Sequence, residues 1–150
     1  MSRSRIGWIL VAIQFALMIT LLVVPWRRPE PVSLIIGIAV LVGALTLGVL
    51  SFRALGSALT ANPVPREKAS LVTTDVYAQV RHPIYTAVLL AAGGFTLAVG
   101  SMWTLLVAIG LALFLFSKSR WEDRLLARKF GTEWDEWATR TGALVPKIRH

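Results

Sequence analysis

The chain has 150 residues, 55% of them hydrophobic, and a mean hydropathy of +0.65; its apolar residues fall in long runs, which excludes an ordinary soluble domain. Sixteen Lys and Arg against eight Asp and Glu give a charge of +8, but the basic residues flank the apolar runs, so the expected partner is the lipid bilayer and not nucleic acid. With no cysteine, disulfides, thiolate metal sites and cysteine nucleophiles are excluded, and two histidines, His82 and His150, are too few for a His-rich metal site.

The pattern predicts one all-α membrane domain over 1-150, a multi-pass helical bundle of about four transmembrane helices with a C-terminal cytoplasmic helical tail. The first span, about 6-26, is long enough to cross the roughly 30 Å hydrocarbon core and carries Gln14 as its only strongly polar side chain. It ends in Val23-Val24-Pro25-Trp26 without a small-residue cleavage site, so it reads as a retained anchor and not a secretory signal. A turn through Pro29-Glu30-Pro31 leads to the second span, about 32-52, where Ala39/Gly43 and Ala44/Gly48 are small residues spaced to admit a neighbouring helix. Residues 53-82 are too polar to lie in lipid and form a long cytoplasmic loop. The apolar run from Ile84 to Phe116 has 33 residues, too many for one span, and Gly100-Ser101 divides it into a hairpin with arms at about 83-100 and 102-118.

Trp8 and Trp26 bracket the first span and Trp103 and Trp121 the fourth, each pair 18 residues apart, about the separation of the two interfacial belts. All basic residues except Arg27 and Arg28 fall on the side of the termini and the long loop, which predicts that both termini are cytoplasmic. In the tail, 119-150, the fourth helix continues as an amphipathic segment to a Gly131 cap. A capping box of Thr132 and Asp135 then opens a short helix whose Trp134 and Trp137 suit the membrane surface. Neither the number of copies in an assembly nor the identity of a substrate is legible in these features.

Two clusters carry chemistry. In Tyr77-Ala78-Gln79-Val80-Arg81-His82-Pro83-Ile84-Tyr85, a helix start with unpaired N–H groups suits an anion, and interfacial anchoring by the same residues is an equally good account. Lys118, Arg120, Glu122 and Asp123 lie at the end of the fourth span, where Lys118 and Glu122 share a helix face, either as a surface ion pair or facing a charged ligand. HExxH, GxSxG, P-loop and GxGxxG motifs are absent.

At these clusters the sequence resembles the isoprenylcysteine carboxyl methyltransferase family and, more distantly, the phospholipid N-methyltransferases. The first stretch is Leu71-Val72-Thr73-Thr74-Asp75-Val76-Tyr77 with Arg81-His82-Pro83-Ile84-Tyr85; the second is Glu122-Asp123-Arg124-Leu125, then Phe130-Gly131, Trp134 and Trp137. The likeness covers about residues 60 to 146. Asp75 stands at a usual glycine, Ala87 where a glycine often follows the second tyrosine, Lys118 at an arginine, and Trp134 and Trp137 at tyrosines.

The resemblance implies an integral membrane enzyme that methylates a lipid-like or membrane-partitioned acceptor from S-adenosylmethionine held in a cytoplasm-facing pocket. It implies cofactor contacts from Asn62, Ala69, Ser70, Leu71, Val72, Tyr77, His82, Pro83, Ile84, Tyr85 and Glu122. It also implies catalytic parts for Glu122, His82 and Arg81, and a substrate contact from Lys118, which orients an anionic acceptor group. A carboxylate acceptor needs no general base; for an amine, His82 is the candidate. A sterol-type membrane reductase using NADPH and a non-catalytic membrane subunit or small transporter are the rival readings.

Overall fold

The computed structural model describes residues 2–58, 60, 62, 64 and 70–147, and among these it contains five α-helices and no β-strand. They are α1 (Arg3–Val23), α2 (Pro31–Leu55), α3 (Pro83–Val99), α4 (Met102–Phe130) and α5 (Thr132–Arg140). Of these, α1, α2 and α4 are long and apolar enough to cross a membrane, which makes the chain an integral membrane protein. The third predicted span is the shorter one, because α3 has 17 residues, about 26 Å of helix.

Local chemistry sets the boundaries. Ser2 caps α1 by accepting from the Arg5 N–H, and α1 stops at Val23 because Val24 precedes Pro25 and takes an extended backbone. In α2, the Glu30 carboxylate accepts from the Ser33 N–H and Pro31 fills the first helical position. Gly100 closes α3 at φ 58°, a left-handed conformation that glycine adopts without a Cβ clash. The α3–α4 turn is fastened to the α1–α2 connection, where Ser101 Oγ donates to the Pro25 carbonyl at 2.6 Å and the Arg27 N–H to the Val99 carbonyl at 3.0 Å.

Two expectations for the tail are corrected. Thr132 is already helical and Gly131, at φ 55°, is the N-cap of α5, so the capping box of Thr132 with Asp135 does not form. Trp137 is not at the membrane surface: it is buried, and its indole N–H donates to the Tyr77 carbonyl at 2.9 Å.

α2 and α3 form the most extensive helix pair. Gly37, Leu41, Ala44, Gly48 and Ser51 recur at helical spacing on the α2 face that meets Ala87, Gly94 and Ala98 of α3. At Gly37 a Cβ would lie 2.6 Å from the Gly94 carbonyl oxygen, so two backbones touch there. The predicted Ala39/Gly43 pair does not serve this contact, since a Cβ on Gly43 would meet nothing within 4 Å. On the other side α1 packs on α4, and Leu21, Ala92, Leu111 and Leu115 form a core where α1, α3 and α4 converge. The outer faces carry exposed Ile35, Leu45 and Leu113, as lipid-facing surfaces do.

Because the Gly37 site is closed by backbone and the Gly43 site is open, Gly37→Leu is expected to lower stability by about 1–3 kcal/mol, the usual cost of overpacking. Gly43→Leu is expected to leave it within about 0.5 kcal/mol, as surface changes do. Unfolding in detergent, followed by circular dichroism for both variants, checks the difference.

Candidate active site

The middle of α1, the end of α2, the start of α3 and the charged end of α4 gather toward one end of the bundle. They enclose there a cavity of about 370 Å³. On α4, Leu111, Leu115, Lys118, Glu122 and Leu126 continue one stripe at helical spacing, apolar at lipid depth and charged where the helix leaves it. Lys118, Glu122 and Leu126 line the cavity, opposite Tyr85 and Ile84 of α3 and next to Phe15 of α1 and Phe52 of α2.

Asp123 holds the polar side together. Its carboxylate accepts from Arg81 Nε at 3.4 Å and Arg81 Nη2 at 3.1 Å, and it meets His82 Nε2 at 2.8 Å. Arg81 Nη1 donates to the carbonyls of Thr141 at 2.7 Å and Ala138 at 3.3 Å, so one guanidinium ties the start of α3 to α4 and to the end of α5. The chain after α5 is strapped to the same place: the N–H groups of Arg81 and His82 donate to the Gly142 and Ala143 carbonyls, and Thr86 Oγ1 donates to the Leu144 carbonyl. Arg81 also lies over the Trp134 ring, 5.7 Å from its centroid.

His82 is buried and stacks on Tyr85, with centroids 5.4 Å apart and planes within 4°. With Nε2 on Asp123, its Nδ1 stands 3.7 Å from Glu122 Oε2. Tyr85 Oη donates to the same Glu122 oxygen at 2.8 Å, which leaves Glu122 Oε1 its acceptor capacity in a wall of the cavity. Above the Tyr85 ring, 4.9 Å from its centroid, sits the buried ammonium of Lys118, which donates to Gln14 Oε1 of α1 at 2.6 Å. Lys118 is therefore no surface ion-pair partner: the ion pair of this cluster is Arg81–Asp123, with His82 set against Asp123 and Glu122. Burial, then the nearby Glu122 charge, pushes the Tyr77 phenol above its ordinary range, so it remains a neutral hydroxyl.

Of the residues singled out from the sequence, Ser70, Leu71, Val72, Tyr77, Arg81, His82, Ile84, Tyr85, Lys118 and Glu122 line this one cavity. Pro83 is buried at the first turn of α3, behind the wall. Asn62 stands outside the lining, its carboxamide donating to the Ser4 carbonyl and accepting from the Val64 N–H. Ala69 lies outside the described residues. Sequence reasoning gave no part to Gln14, to Asp123 as the partner of both Arg81 and His82, or to the strap at 141–144. For Gln14 the signal was present, a lone polar side chain in an apolar span; the strap works through backbone groups and has none.

Asp75, at the position where the resembling families carry glycine, has φ 54°. It adopts the backbone that a glycine would hold without strain.

The family model for phospholipid methyltransferase matches residues 32–133. The chain is also similar, over 84 residues that make up 55% of it, to the nickel-cobalt-cadmium resistance protein NccN of Alcaligenes xylosoxydans xylosoxydans, with 34% identity. It is 37% identical over an equal length to the cobalt-zinc-cadmium resistance protein CzcN of Cupriavidus metallidurans. The chain spans about two-fifths of the length of these curated relatives, 39% and 38% respectively.

Removing the tie at the centre of the site leaves a guanidinium and an imidazole buried without their acceptor. Asp123→Ala is expected to destabilise the protein by about 3–5 kcal/mol, the cost of breaking a buried pair. Asp75→Gly is expected to raise stability by up to about 1 kcal/mol by relieving the left-handed backbone. Denaturant titration in mixed micelles, read by tryptophan fluorescence, measures both.

Proposed function

The chain belongs to the phospholipid methyltransferase family, a family of membrane methyltransferases, and from that membership we propose that it uses S-adenosylmethionine to methylate a lipid-like acceptor drawn from the bilayer. The observation that carries this reading is the Glu122 carboxylate, oriented by Tyr85 and facing a cavity whose other walls are largely apolar.

The residues fit such a donor. The cavity volume falls in the range of roughly 300–1,000 Å³ common to small-molecule sites. A cationic amphiphile needs an anionic acceptor at one point and apolar or aromatic walls elsewhere; Glu122 meets the first need, and Leu71, Tyr77, Tyr85 and Phe130 meet the second. Bound there, S-adenosylmethionine supplies an electrophilic methyl group on a sulfonium sulfur.

Such a transfer is an in-line displacement without a covalent enzyme intermediate, so the protein's work is alignment and exclusion of water. In this reading Glu122 holds a cationic part of the donor, while Tyr77 and Tyr85 pack against it. Ser70, Leu71, Val72 and Ile84 complete the wall, and Asn62 acts from outside the lining. Arg81 and His82 are positioning residues: their polar atoms are engaged by Asp123 and the tail carbonyls, and Pro83 fixes the helix start they stand on. Lys118 orients an anionic group of the acceptor. The basic end of the bundle faces the cytoplasm, following the charge asymmetry of the loops.

An NADPH-dependent reductase would need several cations for phosphate groups. The described cavity wall has Lys118 and Arg81, and Arg81 is committed to Asp123.

Isothermal titration of S-adenosylmethionine into the detergent-purified protein tests the proposal. Loss of a charged hydrogen bond in Glu122→Gln is expected to weaken affinity about 10- to 100-fold. A total lipid extract is expected to acquire label from radiolabelled donor. Absence of donor binding by the wild type, or equal affinity in Glu122→Gln, would refute the assignment of the donor site.

A further inference from the structure

Gln14 lies in α1, before the residues matched by the phospholipid methyltransferase model, and yet it lines the cavity. We infer that Gln14 is a specificity-determining residue: its carboxamide oxygen fixes the Lys118 ammonium in the cavity wall, so that the remaining N–H donors of the ammonium form a cradle for an anionic oxygen on the acceptor's head. The inference rests on the reading above, in which Lys118 meets the acceptor at the edge of the donor's cavity.

The orientation of the carboxamide follows from the chemistry of its neighbour. An ammonium has three donors and no acceptor, so the Gln14 atom 2.6 Å from Lys118 Nζ is the carbonyl oxygen.

Lys118 is 4% exposed, and among the described residues no carboxylate forms an ion pair with it. Its direct contacts are one amide oxygen and the face of Tyr85, while the Glu122 carboxylate, one helical turn on, acts on it through space. A buried ammonium whose direct contacts are both neutral still has N–H donors to give, and a negative oxygen is the acceptor that takes them best.

The depth of the pair selects the class of ligand. Gln14 is flanked on the cavity wall by Val11 and Phe15 of the same apolar helix, and Phe52 borders the cavity from α2. An anionic head meeting the cradle would therefore carry an apolar chain, which describes an acidic amphiphile and not a small soluble acid.

Binding of oleate and of oleyl alcohol, matched in chain and differing in charge, tests this in neutral maltoside micelles. Wild type, Gln14→Leu, Gln14→Glu and Lys118→Met are compared, with S-adenosylmethionine affinity measured on each. Wild type is expected to prefer oleate. Gln14→Leu is expected to weaken oleate at least about 5-fold, since Lys118 loses the acceptor that fixes it. Gln14→Glu is expected to weaken it further by neutralising Lys118 from within, and Lys118→Met to abolish the preference. Oleyl alcohol should bind wild type and Gln14→Leu alike.

No preference for oleate in the wild type, equal oleate binding by the Gln14 variants, or a parallel loss of both lipids would overturn the inference, the last by reducing Gln14 to a structural part. Failure of the donor proposal would appear separately, as absence of S-adenosylmethionine binding in the wild type.

Discussion

At Asp123 one carboxylate meets the Arg81 guanidinium and the His82 imidazole in a place largely closed to solvent. The rest of the site depends on that meeting. Through Arg81 it reaches the carbonyls that end α5, and through His82 it sets the ring on which Tyr85 stacks. Tyr85 in turn orients Glu122 and underlies Lys118. Three helices and the tail are thus registered by charge-assisted hydrogen bonds, whose geometry is narrower than that of apolar contact. Apolar packing alone would leave the end of a membrane bundle poorly specified, because lipid tails solvate a leucine as well as another helix does.

Much of the fold was legible because the bilayer imposes a simple rule on sequence. Length and apolarity of the runs marked α1, α2 and α4, and Gly100 marked the hairpin turn between α3 and α4. What could not be read was which small residues touch. Gly37 and Gly43 look alike in sequence, and only the direction in which α2 presents its face separates them. The tail was misjudged for a related reason: Trp137 has the composition of an interfacial anchor, but the Tyr77 carbonyl satisfies its indole inside the protein. At the site, the two motifs carried the cluster of Tyr85, His82 and Glu122, since spacing at helix ends fixes neighbours. The contribution of 141–144 runs through backbone groups, on which side-chain identity is silent.

The position of Asp75 shows how a departure from a family pattern is absorbed. At φ 54° it holds the glycine-like conformation, and its carboxylate accepts from Thr74 Oγ1 at 3.3 Å. Asp is among the few residues that tolerate the left-handed region, through local hydrogen bonding of a short side chain. The 3₁₀ turn Asp75–Ala78 that follows is what delivers Tyr77 into the cavity. The chain therefore keeps the turn while giving up the residue that makes it without strain.

The same bilayer constraint explains why the cavity lies where it does. Within the hydrocarbon, every backbone polar group must be paired inside a helix, so a pocket bordered by loop residues such as Ser70 to Val72 has to sit at a helix end. There it meets two environments, with charged groups of α4 and α3 on one side and the apolar flanks of α1 and α2 on the other. In the proposed reading, an amphiphile reaching that boundary would keep its chain in lipid and bring only its head among Lys118, Tyr85 and Glu122. The long extension of α4 carries the polar groups Lys118 and Glu122 to the cavity. Placing chemistry at the end of a bundle is thus a consequence of building the bundle for a membrane, and the sequence stripe on α4 that turns from leucine to lysine and glutamate records where that end begins.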